Sequence, residues 1–207
     1  MKGFYINLKK RTDRKEHFEK IKQKYSFFSN IQRFEAIENV DGPLGCCCSH
    51  IESLTLALEL NEPYVAIFED DFTILNQDNF LNFIRDFDNI KNEPFWDVIV
   101  LTPRGTTILT PPILNFKRIN NTQTTTGYII KINILPILIN ILKESKQLQI
   151  QGIVKNISAI DQYWKIMQTD FSFYYYKDIF AGQLVGWSNI EKRFVDYNDR
   201  YIKQNLF

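Results

Sequence analysis

An excess of charge of either sign is missing. The 25 Lys and Arg are balanced by 24 Asp and Glu, a formal net charge of +1. That gives no bulk attraction to nucleic acid or to an anionic membrane. Long apolar runs are missing as well. The greasiest stretch, Ile134 to Leu142, is broken by Pro136 and Asn140 and is too short to span a bilayer. The first residues, Met1 to Asn7, carry no extended apolar segment of the secretory kind. Cysteine is confined to Cys46, Cys47 and Cys48. Adjacent cysteines seldom bridge each other, and the sequence offers no second Cys or Cys/His pair to complete a zinc site. The triplet therefore reads as small buried residues of a reducing compartment rather than a redox centre. Glycine is sparse, with 8 residues, whereas the 17 Phe and 10 Tyr argue against disorder. At 207 residues the chain is long enough for one substantial core. A soluble, intracellular, single-domain protein is expected.

What stands out is Tyr64-Val65-Ala66-Ile67-Phe68-Glu69-Asp70-Asp71. An unalternated apolar run of this length reads as a strand buried on both faces, as in a parallel sheet. It ends in three acids. In open α/β sheets ligands sit outside the carboxyl ends of the strands. Clustered carboxylates oppose one another's ionisation, and a hard divalent cation, Mn²⁺ or Mg²⁺, offsets that cost. The competing reading is a solvated acidic turn.

The rest of the chain alternates. Gly3 to Leu8 reads as a first strand. Asp13 with Glu16 fits a capping box, ahead of Phe18, Ile21 and Tyr25 at helical spacing. The turn between them carries Lys9, Lys10, Arg11, Arg14 and Lys15 at a helix start, a fit for a diphosphate or simply a solvated basic face. Arg33 to Ile37 reads as a strand, followed by a helix near Cys47 to Leu60 with Ser49 and His50 in its first turn. Asp78 is expected to cap a helix whose apolar face is Phe80, Phe83, Ile84, Phe87 and Ile90. Trp96 to Leu101, Thr126 to Ile130 and Phe171 to Tyr176 read as further strands. Asn133 and Pro136 open a helix running to Leu142, and Ser158 to Met167 forms a shorter one. The stretch 103–123 reads as a long irregular loop. The tail carries Trp187, Tyr197 and Tyr201 among charges. Strands alternating with helices predict a layered α/β fold.

Several blocks, taken in order, resemble glycosyltransferase family 25, the lipooligosaccharide and collagen galactosyltransferase type. They are Ile6-Asn7-Leu8 with Arg11 and Arg14, Leu44 to His50 as a Gly-Cys-x-x-Ser-His block, and Phe68-Glu69-Asp70-Asp71 as Glu-Asp-Asp. Looser blocks follow at Thr126 to Ile130 and at Ile160-Asp161-Gln162. The chain is short for that family. Asn189, in Gly186-Trp187-Ser188-Asn189-Ile190, stands where related members often carry an acid.

The resemblance implies a glycosyltransferase-A-like, Rossmann-like α/β domain with a mixed, mostly parallel sheet. Its nucleotide-sugar half would be 1–101 and its acceptor half 102–207. It implies a UDP-sugar donor, UDP-galactose or UDP-glucose, with Mn²⁺ or Mg²⁺, and a glycan, lipooligosaccharide or protein hydroxyl as acceptor. By match to the family blocks, Glu69 and Asp71 would hold the metal, and Asp70 would turn toward the ribose. Asn7, Leu8, Arg11 and Arg14 would line the nucleotide. His50 would be either a nucleotide contact or a core histidine. An inverting transfer needs a base on the acceptor side. Asp161 is the first choice, against a competing role as capping-box partner of Ser158.

Two other readings stay open at this stage. A non-catalytic nucleotide-sugar or glycan binder of the same fold is one. A metal-dependent phosphohydrolase is the other, although Glu69 stands where the nucleophilic Asp of such enzymes would be. The Ile/Asn/Lys-rich composition fits an A/T-rich genome, such as that of a giant virus or a bacterium.

Overall fold

The structure is a computed structural model that describes residues 1–108 and 110–197. The chain opens with β1 (Lys2–Asn7), α1 (Thr12–Lys24), β2 (Asn30–Glu35), α2 (Gly42–Ala57) and β3 (Tyr64–Glu69). β4 (Phe72–Ile74), α3 (Gln77–Ile90), β5 (Val98–Val100), β6 (Arg104–Thr107), β7 (Phe116–Gln123) and β8 (Gly127–Lys131) follow. The rest comprises α4 (Leu135–Ile150), α5 (Lys155–Ser158), α6 (Ile160–Tyr163), β9 (Phe173–Tyr176), β10 (Ala181–Gln183), β11 (Gly186–Ser188) and β12 (Arg193–Val195).

Among the described residues the main sheet has eight strands in the order β2-β1-β3-β8-β5-β9-β7-β6. Only β8 and β7 run against the others, as the antiparallel pairings on either side of each show. The first strands wind in the order 2-1-3, with β1 parallel to both neighbours. Between β1 and β3 the winding reverses, so the carboxyl ends of these strands form a crevice of the kind that binds ligands. Gly3 makes the pairing possible. Its φ is +148°, and a Cβ there would lie 1.8 Å from the Ala66 carbonyl oxygen.

Alternation along the strands builds two cores. Phe4, Ile6, Val65 and Ile67 face Cys47, Ile51 and Leu54 of α2 and Leu135, Leu138 and Leu142 of α4. Tyr5, Ala66 and Phe68 face Phe18 and Ile21 of α1 and Phe80, Phe83 and Phe87 of α3. The expected apolar face of α3 is thus the one that packs.

Several expectations are corrected. Among the described residues α1 has no side-chain cap, and Asp13 pairs with Arg11 instead of forming a box with Glu16. Asn76, not Asp78, caps α3, accepting from the Asn79 amide. Where a loop was expected, β6 and β7 pair antiparallel; the Thr and Asn residues of β7 mask a strand that pairs with β9. α4 runs a further two turns beyond Leu142. The helix at 158–167 is instead two short helices, α5 and α6, and a 3-10 turn. Ser158 donates backwards to the carbonyls of Ile153 and Val154, so it caps nothing, and the capping-box reading of Asp161 falls. Tyr201 lies outside the described residues. Among those described, no helix is long and apolar enough to cross a membrane.

Candidate functional site

β3 ends at Glu69, and the chain turns at once through Asp70 and Asp71 into β4. The turn is tied down from several sides. The Glu69 amide donates to the Thr126 carbonyl at 2.8 Å, and the Leu184 amide donates to the Asp71 carbonyl at 2.6 Å. β10 pairs with β4 just beyond. The three acids therefore have little freedom, although all face one cleft.

Each acid has its own environment. Asp70 accepts from Asn7 Nδ2 at 2.7 Å and from Arg14 Nη1 at 2.9 Å. Asp71 lies 3.1 Å from the same Arg14 nitrogen. Glu69 accepts from Thr125 Oγ1 at 2.8 Å, and its carboxylate lies 3.6 Å from His50 Nε2. Burial pushes the Asp71 carboxyl up to about 7, because Glu69 and Asp70 add repulsion that Arg14 only partly offsets. Burial likewise raises Asp70 against the pull of Arg14 and Asn7. Glu69 goes the other way: burial would raise it, but His50, the Thr125 hydroxyl and Arg14 hold it below the usual carboxylate range.

Among the described residues Asp71 Oδ1 is buried and has no hydrogen-bond partner. A charged oxygen left in that state is costly. Clustered, oxygen-rich and one lone pair short of satisfied, the turn fits a hard divalent cation. Asp71 supplies the unpartnered oxygen, while Glu69 Oε1 is turned to Thr125 and His50.

The cleft has a volume of about 460 Å³, within the size of small-molecule sites. Leu8, Arg11, Arg14, Arg104 and Asp161 all line it. Arg14 is turned into the acid cluster rather than outward. Arg11 grips Asp13 with two nitrogens at 2.9 and 2.7 Å and reaches Asn189 Oδ1 at 2.7 Å. The neutral Asn189 thus serves as a hydrogen-bond acceptor for a cation in the position where an acid was expected.

Asn7 is only 1 % exposed and does not line the cleft. Its amide holds Asp70 and the Arg11 carbonyl while its oxygen accepts from Arg33, so it positions Asp70 rather than lining a nucleotide. His50 is fully buried in the middle of α2, not at its start, because the helix begins earlier, at Gly42-Pro43. Its Nδ1 meets the Tyr128 hydroxyl at 3.1 Å and its Nε2 faces Glu69. Asp161 sits on the cleft wall with its carboxyl raised by burial and by the charge of Glu69, against the Thr124 amide, Lys165 and Arg104.

Sequence reasoning gave no site role to Thr125, Tyr128 or Cys46, although the last two fall in the family-like blocks. Thr125 lies one strand away from Glu69 in space and far from it in sequence, so no local pattern marks it. Cys46 and His50 are four apart, one turn of a helix, and that spacing was the available signal.

A winding reversal with an acidic strand end and a cleft at the strands' carboxyl ends is the ligand-binding arrangement of open α/β sheets. The sequence profile of glycosyltransferase family 25 (LPS biosynthesis protein) matches residues 40–164, more than half of the chain. The chain belongs to that family and is a glycosyltransferase. Among solved structures, a glycosyltransferase involved in the glycosylation of the major capsid of PBCV-1 superposes with a TM-score of 0.56. The identity is 10%, over 99% of this chain and 98% of that one. A197 from STIV superposes with a TM-score of 0.50 at 11% identity, over 94% and 93%. Mannose-1-phosphate geranyltransferase from Thermus thermophilus shares 9% identity at a TM-score of 0.47 over 84% of this chain, which spans only 58% of that one's length. At identities this low the first two speak to the glycosyltransferase-A-like fold alone. Curated sequences give no match.

Proposed function

We propose that this glycosyltransferase moves a hexose, galactose or glucose, from a UDP-sugar to a hydroxyl of a glycan, lipooligosaccharide or protein, with inversion and with Mn²⁺ or Mg²⁺. The observation that carries the metal part is the buried, unpartnered Asp71 Oδ1 on the cleft wall, among the described residues. When bound, the cation supplies neutralisation of the diphosphate leaving group. Asp71 is its first ligand and Glu69 its second. Asp70 has both oxygens engaged by Asn7 and Arg14, so it fixes Arg14 in place rather than turning to the ribose. Arg14 then keeps the two aspartates from repelling each other before a ligand arrives. Leu8 and Arg11 form the nucleotide wall.

The donor half is 1–101 and the acceptor half 102–207. Asp161, on the acceptor side of the same cleft, takes the proton from the attacking hydroxyl. Its raised carboxyl pKa brings it closer to the range a general base needs.

A donor screen tests this reading. The chain with Mn²⁺ is offered a panel of nucleotide sugars without acceptor, and released UDP is measured. Slow release from UDP-galactose or UDP-glucose, abolished by chelator, is expected. Binding of a UDP-sugar without any release, even with acceptors added, would favour a non-catalytic binder. No binding to any UDP-sugar would overturn the proposal.

A further inference from the structure

Cys46 and His50 lie one turn apart on α2, and their side chains meet Glu69 at the end of β3. The donor atoms of Cys46, His50 and Glu69 all fall within 4.8 Å of one another. His50 is fully buried, and its Nε2 has no hydrogen-bond partner among the described residues. That nitrogen points at the Glu69 carboxylate, 3.6 Å away. The other ring nitrogen is engaged by the Tyr128 hydroxyl at 3.1 Å, the arrangement that orients a metal-binding imidazole. All three residues line the cleft, so the cluster has a way in from solvent.

We propose that Cys46, His50 and Glu69 form a second cation seat, selective for thiophilic divalent ions such as Zn²⁺ and Co²⁺. A sulfur, nitrogen and oxygen donor set suits these ions and does not suit Mn²⁺ or Mg²⁺, which take oxygen. Donors around a tetrahedral zinc lie about 3.5 Å apart, given bond lengths of about 2.0–2.3 Å. The His50–Glu69 separation of 3.6 Å already meets that, and side-chain rotation of Cys46 closes the rest. On binding, the Cys46 thiol loses its proton to the buffer as the metal–sulfur bond forms. The fourth position faces the cleft and takes water. Cys47 is excluded, since its thiol is turned away to the Leu142 carbonyl at 3.3 Å. Glu69 belongs to both this seat and the oxygen site of the proposed transferase reaction. A thiophilic ion here therefore holds Glu69 away from Asp71 and inhibits.

The seat can be tested without any activity. The reduced full-length chain is titrated with Co²⁺, and the thiolate-to-cobalt charge-transfer band is followed by absorbance. The wild type and Cys48→Ser should develop the band with one equivalent, and excess Zn²⁺ should bleach it while Mn²⁺ does not. Cys46→Ser and Cys46→Ala should lose it. Glu69→Gln, which keeps the size of the side chain, should need more Co²⁺ to reach it. Circular dichroism confirms that each variant is folded. Absence of the band in the wild type, its persistence in a folded Cys46 variant, or its loss in Cys48→Ser would overturn the proposal. None of these outcomes depends on UDP binding, so failure of the seat and failure of the transferase reading are distinguishable.

Discussion

Asp71→Asn should stabilise the metal-free fold at alkaline pH while it removes the proposed metal site. Asp71 is 8 % exposed, and its carboxyl is raised from an ordinary value of 3.8 to about 7 by burial and by its two acidic neighbours. Below about pH 4 the residue is protonated in both folded and unfolded chains, and the full stability is present. Between about pH 4 and about pH 7 the unfolded chain ionises while the folded one keeps its proton, so stability falls as pH rises. Above about pH 7 the loss is complete, roughly 4 kcal/mol at about 1.4 kcal/mol for each tenfold shift in proton affinity.

Asparagine has the shape of the protonated acid and never ionises. The substitution gives up some attraction to Arg14, so a net gain of roughly 2–4 kcal/mol is expected, on the order of 10 °C in Tm for a chain of this size. Thermal unfolding by circular dichroism, in chelator, at about pH 4 and about pH 8 measures it. The variant should match the wild type at the acid end and exceed it at the alkaline end. A lower Tm at alkaline pH, or a difference that does not change with pH, would refute the reasoning, because Arg14 would then outweigh burial and repulsion together.

At alkaline pH Arg14→Ala leaves two buried carboxylates without their cation and should cost about 3–5 kcal/mol. Lys10→Ala breaks only a surface pair with Glu38 and should cost under about 1 kcal/mol; equal losses in urea unfolding would contradict the placement of Arg14. Asp161→Asn should bind UDP and Mn²⁺ and melt no lower than the wild type, yet transfer sugar roughly 10²–10⁴-fold more slowly; normal transfer kinetics would remove Asp161 as the base. Asp86 shows the opposite pH sign to Asp71. Burial opposes its ionisation, but hydrogen bonds from Asn115, Tyr176 at 2.8 Å and Arg85 hold its carboxyl low. Asp86→Asn should therefore destabilise the chain at neutral pH, by roughly 1–3 kcal/mol, and the deficit should shrink as acid protonates the wild type itself.

The Glu69-Asp70-Asp71 strand end was legible because an unbroken apolar run leaves little choice but a strand buried on both faces. α3 was legible from the helical spacing of its apolar face, and α1 more weakly from Phe18 and Ile21, since Tyr25 falls just beyond its end. The caps were not, because Asp13 and Asp78 each had a competing use or a better-placed neighbour, and sequence spacing cannot weigh the two. The β6–β7 hairpin was hidden by Thr and Asn at positions that pair with a neighbouring strand instead of alternating in polarity. Within the site, which residues face the cleft was partly readable, but what each side chain grips was not. Arg14 was expected to meet a diphosphate, and it meets Asp70 and Asp71. Asn7 was expected on the nucleotide, and it lies beneath Asp70. Both outcomes depend on side chains brought together from distant parts of the chain.

The central claim, that a cation held by Asp71 bridges the chain to a nucleotide diphosphate, is tested most directly by calorimetric titration of UDP with Mn²⁺ and again with chelator. The account predicts binding at least about tenfold tighter with Mn²⁺, about 1.4 kcal/mol or more, and loss of most of that difference in Asp71→Asn. Equal UDP affinity in Mn²⁺ and in chelator for the wild type would contradict it.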